Sequence, residues 1–180
     1  MRGQKLAEVG AGDADAHLRP TSDRVREAIF NLLTNGPSGN RVVGAHVLDL
    51  FAGTGALGFE ALSRGAAHVT FVDDGVVARA LLRENVTLTK SVGQSRVFRR
   101  DATDLGPCDG TPCSLVFLDP PYGKSLGQRA LSSALRENWL APDVYVVWEE
   151  ASPQPPPSGF VLTDQRRYGD TWITLLTLRA

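Results

Sequence analysis

The run Val47-Leu48-Asp49-Leu50-Phe51-Ala52-Gly53-Thr54-Gly55-Ala56-Leu57-Gly58 constrains the fold more than any other segment of the chain. It passes from a buried strand through a glycine turn into a helical pattern, which is how a parallel sheet covered by helices reads. Gly53 and Gly55 let the backbone turn tightly and approach a ligand closely, and Gly58 permits a helix to pack close on the strand. A ligand is therefore expected at the strand's carboxyl end. Twenty positions beyond Gly53, Asp73 ends the next strand, where a carboxylate can accept both hydroxyl hydrogens of a ribose. Together these features describe a nucleoside site.

The rest of the chain follows the same alternation. Strands are predicted at Val47–Phe51, Val69–Val72, Val97–Arg99, Leu115–Leu118 and Tyr145–Trp148, with helices at Ala56–Arg64, Val76–Leu88 and Gln128–Asn138. An earlier helix begins near Thr21, Ser22 or Asp23, carries Val25, Ile29, Leu32 and Leu33 at helical spacing, and ends at Gly36-Pro37. Phe160–Arg167 and Thr171–Leu178 read as a closing hairpin around Tyr168-Gly169-Asp170. The expected fold class is α/β: a doubly wound, Rossmann-like sheet, five strands parallel, with a C-terminal antiparallel hairpin and helices on both faces. Residues 1–18, rich in Gly, Ala and Asp, read as a flexible or extended lead-in, and residues 19–180 as one domain.

Asp119-Pro120-Pro121-Tyr122 follows the strand Leu115–Leu118, so it too should stand at the carboxyl edge, beside the glycine loop. An exocyclic amine on a nucleic-acid base is a poor nucleophile, because its lone pair is delocalised into the ring. Asp119 and the carbonyl of Pro120 can accept the two N–H bonds and favour a more tetrahedral nitrogen. Pro120 and Pro121 hold that backbone still, and Tyr122 offers a ring on which an extruded base can stack. Gly53-x-Gly55-x-x-Gly58 followed by Asp73 also satisfies the fingerprint of nicotinamide-dependent dehydrogenases. Two features favour S-adenosylmethionine over a dinucleotide: Asp49 can hold the ammonium of an amino-acid moiety and would repel a pyrophosphate, and a dehydrogenase gives Asp119–Tyr122 no task.

These residues resemble a class I S-adenosylmethionine methyltransferase with the amino-methylating Asp-Pro-Pro-Tyr signature. The run Arg19-Pro20-Thr21-Ser22-Asp23-Arg24-Val25-Arg26-Glu27-Ala28-Ile29-Phe30-Asn31, with Asp49 to Arg64 and the ending Ala61-Leu62-Ser63-Arg64-Gly65-Ala66, is similar to the bacterial family that methylates guanine N2 in 16S ribosomal RNA. The likeness extends from about Arg19 to the C-terminus. It implies cofactor contacts along Asp49, Phe51, Ala52, Gly53, Thr54 and Gly55, with Asp73 on the ribose and Asp101 and Ala102 beside the adenine. It also implies that Asp119, Pro120, Pro121 and Tyr122 hold the guanine amine. The family usually carries Glu where this chain has Asp73, and the shorter carboxylate still reaches a ribose. Its members generally begin with one more strand before a stretch like Arg2–Leu6.

The formal charge of -1 means that affinity for RNA must come from a local basic surface. Arg19, Arg24 and Arg26 at the start of the first helix, and Lys124 just past the proline motif, are the candidates. The implied partner is 16S ribosomal RNA or the small ribosomal subunit. No stretch is long and apolar enough to span a bilayer, Met1–Leu6 lacks a signal-peptide core, and Cys108 and Cys113 have no histidine nearby to complete a metal site, so a cytosolic monomer without metal is expected. His17, His46 and His68 are given no role, and Trp139, Trp148 and Trp172 are assigned to the core. The alternatives are an adenine-N6 methyltransferase acting on DNA or RNA, a nicotinamide-dependent oxidoreductase, and a non-catalytic RNA-binding assembly factor. Product nucleoside, NAD(H) binding, and RNA binding without methyl transfer distinguish them.

Overall fold

In the computed structural model, which describes residues 5–8 and 21–179, the apolar run becomes β1 (His46–Leu50) and enters α2 (Ala56–Ser63) through the glycine turn. It is preceded by α1 (Asp23–Asn35) and followed by β2 (His68–Val72), α3 (Val76–Leu88), a short 3-10 turn at Val92–Gln94 and β3 (Ser95–Phe98). Then come β4 (Cys113–Leu118), α4 (Leu126–Arg136), β5 (Leu140–Glu150), β6 (Phe160–Tyr168) and β7 (Thr171–Leu178). The seven strands form one sheet in the order β3-β2-β1-β4-β5-β7-β6. The first five are parallel, and β7 pairs antiparallel with both β5 and β6. This is the doubly wound sheet with a closing hairpin that the sequence predicts.

Side-chain alternation along the central strands builds two cores. Val47, Leu115, Phe117, Tyr145 and Val147 face α1, α2 and α3, while Leu48, Leu50, Val116, Leu118, Val146 and Trp148 face α4. The two outermost ends of α1 are set locally. Ser22, rather than Thr21 or Asp23, caps it by accepting the Val25 N–H at 3.3 Å, and the Gly36 N–H closes the other end on the Leu32 carbonyl at 3.0 Å. Phe30, fully buried on α1, stacks at a tilt against Phe117 with ring centroids 5.6 Å apart, which fixes α1 over β4.

Most boundaries shift by a residue or two from the sequence reading, and those of β3, β5 and α4 are the most informative. β3 is Ser95–Phe98 rather than Val97–Arg99, since its ladder with β2 ends at the pair Val72 and Phe98. β5 extends well beyond Tyr145–Trp148, carrying Glu149 and Glu150 opposite Ile173 and Trp172 of β7. α4 starts at Leu126 rather than Gln128 and runs to Arg136; its Gly127 lies so close to the Trp148 ring that a Cβ there would collide with it. The expected lead-in lies mostly outside the described residues. Within Lys5–Glu8, Leu6 packs on the core beneath α1–α3, and Ala7 is bonded to Asn85 of α3.

Candidate functional site at the carboxyl edge of the sheet

β1 has β2 on one side and β4 on the other, so consecutive strands wind outward in opposite directions from the β1/β4 boundary. In such sheets the crevice at the carboxyl ends beside that reversal is where ligands fit. The glycine loop leaves β1 there and Asp119–Tyr122 leaves β4 there, and the Asp119 N–H approaches the Leu50 carbonyl at 3.5 Å. The two motifs that the sequence placed side by side do adjoin.

The glycine loop is held by carboxylates. Phe51, Gly53 and Gly55 all have positive φ, of 56°, 58° and 80°. For Phe51 this left-handed conformation is strained, at a cost of about 1–3 kcal/mol that its surroundings must offset. A Cβ on Gly55 would strike Phe59 and Leu82 at under 3 Å, so backbone alone fits there. Asp73 accepts the Gly53 N–H at 3.0 Å and the Gly75 N–H at 2.9 Å, tying the turn to the end of β2. Asp49 accepts the Gly58 N–H at 3.0 Å and is 3% exposed. Gly55 offers no side-chain cap to α2, and Asp49 supplies from the strand the acceptor that one of the helix's first amides lacks. Thr54 gives its carbonyl to the Asn85 side chain at 3.0 Å.

Around the switch point stand Asp49, Asp73, Asp119, Glu149 and Glu150, and no ion pair among the described residues involves any of them. Burial pushes the Asp49 carboxyl up to about 8, against the lowering effect of the Gly58 amide. Burial also raises Asp73, opposed by its two amide donors. Asp119 is held well above the usual carboxylate range, first by burial and then by the negative charge of Glu149, Asp49 and Glu150. Tyr122 is half-buried, and its phenol is likewise raised by burial and by Glu149. This is an acceptor-rich, acidic cleft in which burial and mutual repulsion disfavour ionisation and a nearby positive charge would restore it. It suits ligands bearing positive charge and N–H donors, and it repels a pyrophosphate.

One consequence can be measured on the protein alone. Asp49 keeps its proton in the folded state up to about pH 8 but loses it near the ordinary value of 3.8 when unfolded. Between those values the folded state binds more protons, so stability falls as pH rises, by up to about 1.4 kcal/mol per pH unit for such a group. Asp49→Asn, which keeps an acceptor for Gly58, is expected to flatten the fall in melting temperature between pH 5 and pH 8. Parallel melting curves for the variant and the wild type across that range would contradict it.

The other expected site residues are distributed as follows. Ala52 is half-buried in the loop. Asp101 follows β3 on the same edge, exposed, and accepts both the N–H and the hydroxyl of Thr103 at 2.8 Å, while Ala102 is buried in the α4-side core. Pro120 is buried and Pro121 exposed. Lys124 and Arg24 are exposed; Arg26 is paired with Asp23 at 2.8 Å, and Arg19 lies outside the described residues. His46 and His68 stack at the opposite, amino edge, where cavities of about 140 and 230 Å³ also open, away from both motifs. The sequence reading missed Asn85, fully buried on α3, as well as Thr21, Glu149 and Glu150. The two glutamates carried a legible signal, an acid just after an apolar strand, which is the same signal that singled out Asp73 and Asp119.

Comparison with known proteins agrees with this geometry. Residues 1–177 match the family model described as conserved hypothetical protein 95. Ribosomal RNA small subunit methyltransferase D of Haemophilus influenzae is 37% identical over 173 residues, covering 93% of this chain and 85% of that one. Its Escherichia coli namesake is 40% identical over 133 residues, covering 73% of this chain and 64% of that one, so this match spans less than two thirds of the relative. The solved structure of yhhF from Escherichia coli superposes with a TM-score of 0.81 at 34% identity, over 99% of this chain and 94% of that one. The sheet is that of the class I methyltransferases. Fold, carboxyl-edge motifs and these matches agree, and the chain belongs to the conserved hypothetical protein 95 family, together with ribosomal RNA small subunit methyltransferase D.

Proposed function

We propose that this protein transfers the methyl group of S-adenosylmethionine to the exocyclic N2 amine of a guanine in 16S ribosomal RNA, acting as a monomer in the cytoplasm. The observation that carries the reading is the juxtaposition, across the β1/β4 switch point, of a carboxylate-held glycine loop and the Asp119–Tyr122 turn. The names of its small-subunit methyltransferase relatives support the RNA target.

The residues fit the cofactor. Asp49 and Asp73 are acceptors that form no ion pair among the described residues, and Gly53 and Gly55, both at positive φ, turn the backbone tightly between them. When bound, S-adenosylmethionine supplies a methyl group made electrophilic by its positive sulfur. Asp73 would hold the ribose hydroxyls, with Phe51, Ala52, Gly53, Thr54 and Gly55 along the cofactor and Asp101 and Ala102 beside its base. Asp49 would face the positively charged amino-acid end, and ionising that buried carboxyl next to a cation removes the penalty that raises its pKa.

Asp119 and the Pro120 carbonyl would accept the two amine N–H bonds, directing the nitrogen lone pair at the methyl group, with Pro121 stiffening the turn and Tyr122 stacking on the base. After transfer the nitrogen sheds a proton readily, to Asp119 or to water. Arg24 and Lys124, both exposed, with Arg26 and Arg19, would meet RNA phosphates. The test is to incubate the protein with methyl-labelled S-adenosylmethionine and unmethylated small subunits, naked 16S RNA or DNA, and to identify the labelled nucleoside. N2-methylguanosine supports the reading. N6-methyladenine would transfer the mechanism to another substrate, and cofactor binding with no label on any nucleic acid would refute catalysis.

A further inference from the structure

We infer that Glu149 is a positioning residue for methyl transfer, fixing the Tyr122 ring and the start of α1 against one another beside Asp119. The inference rests on the proposed function for the role of Tyr122 and Asp119. The contacts themselves belong to this fold. Leu118 pairs with Trp148 in the parallel β4–β5 ladder, so the next residues, Asp119 and Glu149, continue side by side at the carboxyl edge and share a face. Asp49 lies on that face too, because it pairs with Phe117, two residues before Asp119. Glu149 is 6% exposed. One of its oxygens accepts the Tyr122 hydroxyl at 3.3 Å, and the other accepts the Thr21 hydroxyl at 3.0 Å. A single carboxylate thus joins β5, the proline-motif loop and the residue before the α1 cap.

Stability alone does not account for this residue. A buried carboxylate with two hydroxyl donors, acidic neighbours and no cationic partner among the described residues is costly, and a glutamine would satisfy both hydroxyls without repelling Asp119. What the carboxylate adds is an acceptor at both oxygens, which compels both hydroxyls to donate inward and so orients the Tyr122 ring. Burial raises the Glu149 carboxyl, opposed by the two hydroxyl donors, and once ionised it adds negative charge beside Asp119. The charged and titratable groups facing it are Asp119 on β4, with Asp49 and Glu150 nearby, Tyr122 on the motif loop and the Thr21 hydroxyl. Its charge increases the affinity of Asp119 for a proton.

The test compares wild type, Glu149→Gln, Glu149→Ala, Tyr122→Phe and the pair Glu149→Ala/Tyr122→Phe in methyl transfer to unmethylated small subunits. Glu149→Ala is expected to lower kcat by about 100-fold, with the KM for S-adenosylmethionine little changed, because a misplaced base costs alignment rather than cofactor binding. Glu149→Gln is expected to lose less than about tenfold at its own optimum and to move the rising limb of the pH–rate profile to lower pH, since Asp119 loses a negative neighbour. The double variant should fall short of the product of the two single effects. Glu149→Ala within twofold of wild type, a Glu149→Gln profile that overlays the wild type's, or strict additivity would each overturn the inference. If Glu149→Ala does not fold, the Glu149→Gln profile still decides. A wild type silent on every nucleic acid would instead bring down the functional reading, an outcome distinct from loss in the variants alone.

Discussion

Replacing Asp119 by Ala is expected to lower the rate of methyl transfer by about two to three orders of magnitude, with affinity for S-adenosylmethionine retained within a few-fold. The side chain stands at the end of β4 while the cofactor loop is held by Asp49 and Asp73, so cofactor binding and amine activation are separable. The wild-type rate should also depend on pH in a fixed direction. An ionised carboxylate is the better acceptor for an amine, and burial with three acidic neighbours holds the Asp119 carboxyl well above the ordinary range. The rate should therefore rise with pH as that proton leaves, and in Asp119→Asn the rise should vanish along with most of the activity. Single-turnover transfer of labelled methyl across a pH series measures both. A variant that transfers at the wild-type rate, or a wild-type rate that falls as pH rises, would remove Asp119 from the chemistry.

Gly58→Ala is expected to destabilise the protein by about 1–3 kcal/mol and to weaken cofactor binding as well. A Cβ at this position would stand against the Phe71 ring, 2.8 Å from a Val69 methyl and 2.9 Å from the Asp49 carboxylate. The first two belong to β2 and the third to β1, so neither strand can yield without disturbing the centre of the sheet. α2 must lift instead, and lifting it breaks the bond from the Gly58 N–H to Asp49 and pulls on the turn at Gly53–Gly55. Gly93→Ala is the control, since nothing lies within 4 Å of where its Cβ would stand. Thermal unfolding and calorimetric titration with S-adenosylmethionine read the two effects. Gly58→Ala melting together with wild type would show that α2 is not packed on β2 in this way.

Much of the architecture could be read from the chain. Largely apolar runs at Val47–Leu50, Val69–Val72 and Leu115–Leu118, interrupted only by Asp49 and Thr70, mark buried parallel strands, because strands covered on both faces dispense with regular polar alternation. The spacing of Gly53, Gly55 and Gly58 gave the turn and the close helix, and the structure supplies the atoms that each glycine avoids at positions 55 and 58. The ends of β3 and β5 were less legible, because a strand stops where its partners stop and not where its side chains change character.

The site divides along the same line. Local sequence determined its chemistry: Asp49, Asp73 and Asp119 each stand at or just past the carboxyl end of an apolar run, and that position alone made them candidates. Local sequence could not determine that β7 would insert between β5 and β6, because strand order depends on which faces bury most apolar surface once all the helices have packed. Nor could it reveal that Thr21 and Tyr122 meet on Glu149, or that Asn85 joins Ala7 to Thr54. Those hydrogen bonds link residues 27 to 128 positions apart, and no periodicity or spacing encodes them. They exist because the completed fold brings α3, the loops after β1 and β4, the end of β5 and the segments before α1 together at one edge of the sheet.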